Sequence, residues 1–410
     1  MKRTTGYKWE VLAILWIAYL LNQADRQIFN VVLPLIRDDL KITDFQAGLI
    51  ATIFNIAYAV CVPVAGYIGD RFNRKWIVAL SLLFWSVATM LTGLSSGIVM
   101  LILTRSLATG AGEAFFGPAN YSLLASYHKE DTRSFAMSVH QTAYYIGIVV
   151  SSVAAAYIGE MYGWRNAFYI FGAIGVVHAV VTIYRLKDNR TQTESVNSSN
   201  IKFFDGFKMI LRTPTAIVLT IGFSGLIFVL SGYLTWMPTY LYEGFDMSLT
   251  SAGFQSMFYT HLFAFIGIII AGKWSDKIAK TKASNRMMMQ GLGLIIAAPF
   301  ILLMGKSSVL LLIYIGFAGF GFARAFFDAN TYTVLYDVIP KAYHSSVSGV
   351  MIMAGFLIGS TSSAILGYIK PILGLSNGIA MLSVVWLFCG LLFIVTAKYQ
   401  FEKDYKKVHP

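Results

Sequence analysis

Long apolar stretches alternate with short polar ones along the whole chain. Twelve apolar blocks can be drawn, at about 10–36, 45–68, 75–94, 98–127, 132–158, 165–185, 213–241, 249–272, 285–304, 309–337, 343–369 and 375–397. Each is close to or above the roughly 20 residues with which a helix crosses a bilayer. The pattern predicts an all-α membrane protein of twelve transmembrane helices. The first block, Trp9 to Ile36, is too long for the apolar core of a signal peptide, and no small-residue cleavage pattern follows it. It therefore reads as the first span.

The blocks are written twice. Glu113-Ala114-Phe115-Phe116 recurs as Arg324-Ala325-Phe326-Phe327, 211 residues later, and at that offset Tyr121 meets Tyr332 and Leu124 meets Leu335. Gly66-Tyr67-Ile68-Gly69-Asp70-Arg71 is echoed at an offset of 206 by Gly272-Lys273-Trp274-Ser275-Asp276-Lys277. Both offsets are near half of the 410 residues. The repeat predicts two pseudo-symmetric six-helix bundles, 1–185 and 213–398, the plan of many secondary transporters. Between them lies a polar linker, 186–212, in which Ile201 to Ile210 interleaves apolar and charged residues as a helix lying on the membrane face does. A short tail, 399–410, follows. The repeat also exchanges a charge, since the acid Glu113 becomes the base Arg324.

Composition agrees with a membrane chain. Charged residues are 13% of the sequence, against about 25% in soluble domains. The net charge of +12 comes from the placement of Lys and Arg. Of the 32, 24 lie in the N-terminus, the even-numbered connections and the tail, five in the odd-numbered connections, and three inside spans. That bias is a topology signal rather than a nucleic-acid footprint, and it predicts that both termini are cytoplasmic. Asn189-Arg190-Thr191 and Asn197-Ser198-Ser199 match the glycosylation pattern, but on this topology both are cytoplasmic and unused. Cys61 and Cys389 lie inside apolar blocks and read as packing residues. No metal-ligand spacing and no nucleotide-binding loop stand out, so the sequence predicts neither an enzyme, a metal site, a cofactor nor an ATP-driven pump.

Gly66-Tyr67-Ile68-Gly69-Asp70-Arg71-Phe72-Asn73-Arg74-Lys75, after the second span, resembles the signature loop of the major facilitator superfamily, and its degenerate copy follows the eighth span. The resemblance covers essentially the whole chain. It implies a conformational-switch role for Gly66, Gly69, Asp70, Arg71, Arg74, Gly272 and Asp276. Asn22-Gln23-Ala24-Asp25-Arg26 and Leu234-Thr235-Trp236-Met237-Pro238-Thr239-Tyr240-Leu241 resemble the anion:cation symporters, a branch that carries sugar acids and related anions. Gly112-Glu113-Ala114 and the signature loop are similar as well to Spinster-type lipid transporters. In both groups an Arg lies seven residues before the Glu of the fourth span. Here Arg105 lies eight before Glu113, which in an α-helix turns it by about 100°.

Six ionisable residues fall well inside the spans: Asp25, Arg26, Arg105, Glu113, Arg324 and Asp328. Each costs roughly 2.5–3.5 kcal/mol at the bilayer centre on insertion scales, so such residues mark function or a paired network. Arg324 and Asp328, four apart on one helix, can pair locally. Asp25 and Arg26 point about 100° apart and need partners on other helices. The expected reading gives proton coupling to Asp25 and Glu113. It gives substrate contact to Arg26, Arg324 and Arg105, with Gln23, His140, Gln141, Tyr144, Trp236, Tyr259 and Asn330 as further lining. The predicted function is proton-coupled symport of a small organic anion, a sugar acid or carboxylate, by alternating access in a bacterial inner (plasma) membrane, the protein acting as a monomer. The alternatives are a Spinster-like carrier of lysolipid or another amphiphile, and a non-transporting membrane nutrient sensor.

Overall fold

A computed structural model describes residues 3–128, 132–187 and 203–409. The two glycosylation patterns lie outside the described residues, as do the side chains of Tyr67, Asp70 and Arg71 in the signature loop. The described residues form helices and no strand. The first half runs α1 (Arg3–Leu40), α2 (Asp44–Arg71), α3 (Arg74–Thr92), α4 (Ile98–Leu101), a π-helical turn (Ile102–Ala108), α5 (Thr109–Tyr127), α6 (Arg133–Tyr162) and α7 (Trp164–Arg185). After α8 (Phe203–Arg212) come α9 (Pro214–Gly244), α10 (Leu249–Ala279), α11 (Asn285–Lys306), α12 (Leu310–Asp328), α13 (Thr331–Asp337), α14 (His344–Gly359), α15 (Thr361–Tyr399) and α16 (Phe401–Val408).

Among the described residues, ten stretches are long and apolar enough to span a membrane. Two adjustments reconcile them with twelve spans. α1 is not among the ten, although it runs 38 residues and carries the charges of the candidate site. The stretch 346–399 counts once, yet α15 is broken at Gly374, whose φ of 77° ends one helix and begins the next.

Local chemistry sets the boundaries. Thr43 and Gln46 form a reciprocal capping box at the start of α2, with Gln46 N–H donating to Thr43 Oγ1 at 3.2 Å and Thr43 N–H to Gln46 Oε1 at 2.8 Å. Gly163, with φ of 88°, separates α6 from α7. It stands 211 residues before Gly374, so the same left-handed glycine turn recurs in both halves. A second repeated device is a close backbone crossing. A Cβ on Gly110 of α5 would meet Phe54 O of α2 at 2.6 Å, and one on Gly321 of α12 would strike Thr260 O of α10. These pairs are related by the offsets of 211 and 206 found in the sequence.

The chain divides into two compact units, 1–198 with 241–254, and 199–240 with 255–410. The core of the first unit joins Leu15 of α1, Leu82 and Trp85 of α3, Phe116 and Leu123 of α5 and Ala179 of α7. In the second unit, α8 packs through Gly206 against the Ser346 backbone of α14. The tail helix α16 buries Phe401, and Asp404 accepts hydrogen bonds from Thr215 N at 3.1 Å and Thr215 Oγ1 at 2.8 Å. That carboxylate satisfies the otherwise unpaired N-terminus of α9. Burial opposes its charge, but the bonds from Lys407, Thr215 and Gln400 hold its pKa below the ordinary aspartate value.

Candidate functional site

The first unit gathers four of the intramembrane charges from three elements. Asp25 and Arg26 follow one another on α1 and diverge. Asp25 accepts from Arg105 Nη1 at 3.3 Å and from the Thr89 hydroxyl of α3. Arg26 Nε donates to Glu113 Oε2 of α5 at 2.6 Å. Arg105 Nη2 also donates to Arg26 O at 3.3 Å, so α1 is gripped by both its carboxylate and its backbone. The guanidinium of Arg105 lies over Phe54 of α2 at 4.4 Å, and that of Arg26 over Tyr58 at 4.5 Å. Burial separates the two arginines. The Arg105 side chain is 4% exposed, whereas that of Arg26 is 21% exposed and can reach a solute. Glu113 Oε1 is buried with no donor among the described residues.

Arg105 reaches Asp25 because the backbone before Glu113 is not a plain α-helix. The turn Ile102–Ala108 is π-helical, and the N–H of Thr109 reaches back five residues to Thr104 O. A π-turn is one extra residue absorbed in a helix. It takes up the eighth residue between Arg105 and Glu113 and cancels the expected rotation. The expectation that the spacing turns Arg105 away is therefore corrected: Arg105 faces the acid of α1.

The second unit is built differently. Arg324 Nε donates to Asp328 Oδ2 at 2.9 Å within α12, as the spacing of four predicts. Elsewhere in this unit hydroxyl and indole groups bond across helices. Ser231 and Thr235 of α9 meet Ser363 of α15 at 2.9 and 3.0 Å, and Trp236 Nε1 donates to Ser363 O at 2.9 Å. Tyr233 bonds Thr260 of α10 at 2.6 Å.

Residues 15–364 match the Major Facilitator Superfamily. The chain belongs to that superfamily. Among curated relatives of this major facilitator protein, Protein spinster homolog 1 of Xenopus tropicalis is 26% identical over 97% of this chain and 82% of its own length. The Probable galactarate/D-glucarate transporter GudP of Bacillus subtilis is 27% identical over 92% and 88%. The Probable L-galactonate transporter of Escherichia coli is 24% identical over 87% and 82%. Among solved structures, a bacterial homolog to the human lysosomal transporter Spinster, inward-facing and occupied, superposes with a TM-score of 0.82 at 19% identity, covering 97% of this chain and 98% of that one. The last likeness shows the shared fold.

The remaining residues expected to line a site in this major facilitator protein fall into separate settings. Gln23 donates to Asn22 beside Asp25. His140 of α6 stacks on Tyr19 of α1 at 4.9 Å and meets Asn120 of α5 at 2.9 Å. Gln141 accepts from Tyr121 at 3.3 Å, and the ring of Tyr144 lies 6.4 Å from Tyr19. This aromatic layer sits about 10 Å along α1 and α5 from the ionic one, since seven residues separate Tyr19 from Arg26. In the second unit Trp236 is fully buried, and Tyr259 stacks on Tyr314 at 5.0 Å. Asn330 is buried where α12 ends, bonding Phe326 O at 2.9 Å and the Ser275 hydroxyl. In the two repeated signature loops, Arg74 Nη1 donates to Ser122 O at 3.4 Å, and Asp276 accepts from Arg286 at 3.1 Å. Sequence reasoning did not single out Thr89, Asn120 or Phe54. A Thr, an Asn and a Phe inside apolar blocks carry no signal until packing shows what they face. Among the described residues, no group of three His, Cys, Asp or Glu is placed to hold a metal ion.

Proposed function

We propose that this membrane transporter carries a small organic anion, a sugar acid or carboxylate, together with protons, by alternating access, with both termini cytoplasmic. One observation carries the reading: Arg26 is partly exposed and is held by Glu113, an acid whose second oxygen meets no fixed donor. The unpartnered Oε1 of Glu113 is the position that takes a coupling proton. When Glu113 takes that proton its hold on Arg26 weakens. The guanidinium is then free to grip a carboxylate through its planar fork. Loss of the proton returns Glu113 to Arg26 and expels the anion. Asp25 shares the proton, Arg105 keeps Asp25 in place, and Arg324 is the second half's candidate for anion contact. The relatives named for galactarate/D-glucarate and L-galactonate support an acidic sugar as cargo.

A second reading, carriage of a lysolipid or another amphiphile, is supported by the similarity to spinster proteins. Thermal-shift titration of the purified protein with sugar acids, dicarboxylates and lysolipids separates the two. The anion reading expects stabilisation by acids that disappears in Arg26→Ala. Stabilisation by lysolipids alone, unchanged in Arg26→Ala, contradicts it.

A further inference from the structure

Each half carries an open apolar groove, and the two linings correspond position by position. The first, of about 620 Å³, lies among α2, α3 and α5; the second, of about 370 Å³, among α10, α11 and α12. Each is lined by eleven residues, and every one in the first has its counterpart in the second. The offset is 206 for the α2 positions, 212 for α3 and 211 for α5. Leu80 corresponds to Leu292, Phe115 to Phe326, Ser81 to Gly293 and Phe84 to Ile296. The repeat has thus kept a surface feature that neither the ion pairs nor the backbone crossings require.

The walls belong to stretches able to span a membrane. More than half of the Leu80 and Phe84 side chains is exposed in the first groove, and of Trp274 and Ile296 in the second. Such a surface calls for apolar contact. At the mouth of the first groove Asn73 caps α3 by accepting from Trp76 N–H at 3.4 Å, and the Lys75 amine sits 5.0 Å over the Trp76 ring. An aromatic and a lysine at one end of a span mark the headgroup level of a bilayer. At the second groove two of the nearby cations meet acids. Arg286 binds Asp276 at 3.1 Å and Asp337 at 3.4 Å, and Lys282 meets Glu402 at 4.0 Å.

We propose that both grooves bind the acyl chains of membrane phospholipids, and that the first selects anionic headgroups through Lys75. The second accepts phospholipid without regard to headgroup charge. On the sidedness proposed above both mouths open on the cytoplasmic leaflet, but binding itself does not depend on that reading or on the transported substrate.

Each groove contains one tryptophan, Trp76 or Trp274, which serves as a reporter. The full chain is reconstituted in phosphatidylcholine vesicles containing increasing amounts of phospholipid brominated in its acyl chains, either phosphatidylglycerol or phosphatidylcholine. The quenching of each tryptophan is obtained by difference from Trp76→Phe or Trp274→Phe. We expect Trp76 to be half-quenched at about fivefold lower mole fraction of the brominated anionic lipid than of the zwitterionic one, as one basic residue near the headgroups provides. Trp274 is quenched equally by both. Lys75→Gln removes the preference at Trp76 and leaves the quenching by phosphatidylcholine. Ala111→Phe, which fills the first groove, protects Trp76 from both lipids and does not alter Trp274. Equal quenching of Trp76 by the two lipids, or a preference that survives Lys75→Gln, overturns the proposal even if Ala111→Phe does not fold.

Discussion

The two halves share their helices, their glycine turns and their close crossings, yet they treat charge in opposite ways. In the first half four ionisable side chains from α1, α5 and the π-turn between α4 and α5 pair across elements, with Thr89 of α3 as a further partner. In the second half the deep pair Arg324–Asp328 closes within a single helix, hydroxyl and indole groups of α9 and α15 bond across helices, and Arg286 pairs between helices with Asp276 and Asp337 at the helix ends. An ion pair between helices changes when the helices move or when a proton arrives. A pair four residues apart on one helix travels as a unit. On this account the first half holds the exchangeable charges and the second a fixed one.

The largest expected effect comes from removing one arginine from each half. Arg26→Ala leaves Glu113 buried without its cation, and such broken pairs cost about 3–5 kcal/mol. A strongly lowered melting temperature with loss of substrate binding is expected in detergent. Arg324→Ala leaves Asp328, whose side chain is 25% exposed, with access to solvent, and a smaller loss of stability is expected. Equal losses would break the contrast.

The π-turn offers a sharper test by deletion. Leu107 lies between Arg105 and Glu113, so its removal restores a spacing of seven on a regular α-helix, and Arg105 keeps Asp25. Removal of Leu103, on the other side of Arg105, also straightens the turn but keeps the spacing of eight. That rotates Arg105 away by about 100°. Transport in vesicles is expected to persist in the first deletion and vanish in the second. The same outcome for both would show that the π-turn does not set the register.

Smaller effects follow from single hydrogen bonds. Thr89→Val removes a donor from a buried carboxylate, a change of about 1–3 kcal/mol. It is expected to lower thermal stability and to alter the pH profile of transport, whereas Thr235→Val in the neutral network of the second half leaves that profile unchanged. Asp404→Ala removes the acceptor at the start of α9 and costs about 1 kcal/mol at neutral pH. Because the folded pKa of Asp404 lies below its ordinary 3.8, its stabilisation is complete above that value and fades as pH falls through the folded pKa. Melting curves of the wild type and Asp404→Ala should therefore converge in that acidic range.

The sequence shows the fold well because each boundary has a local cause. The apolar blocks break between 158 and 165 and between 369 and 375, and the structure places Gly163 and Gly374 in those two gaps. The pair Arg324–Asp328 is legible for the same reason, since four residues on a helix define a distance. The partners of Asp25 and Arg26 are not legible. They depend on how α1, α3 and α5 pack, and no spacing along one helix encodes that. Arg105 is the instructive case. Its spacing predicts a rotation only for an α-helix, and hydrophobic pattern does not distinguish an α-turn from a π-turn seven residues long. The paired grooves were hidden for a different reason, because their lining is ordinary apolar sequence and only the third dimension opens it.

The central claim is that Glu113 and Asp25 hand a proton to and from the grip on Arg26. Its most direct test compares uphill accumulation with exchange, in vesicles loaded with the wild type, Asp25→Asn or Glu113→Gln and given an imposed proton gradient. The account predicts that Glu113→Gln and Asp25→Asn still exchange labelled substrate across the membrane but no longer accumulate it against a gradient. Full proton-driven accumulation by both variants would contradict it.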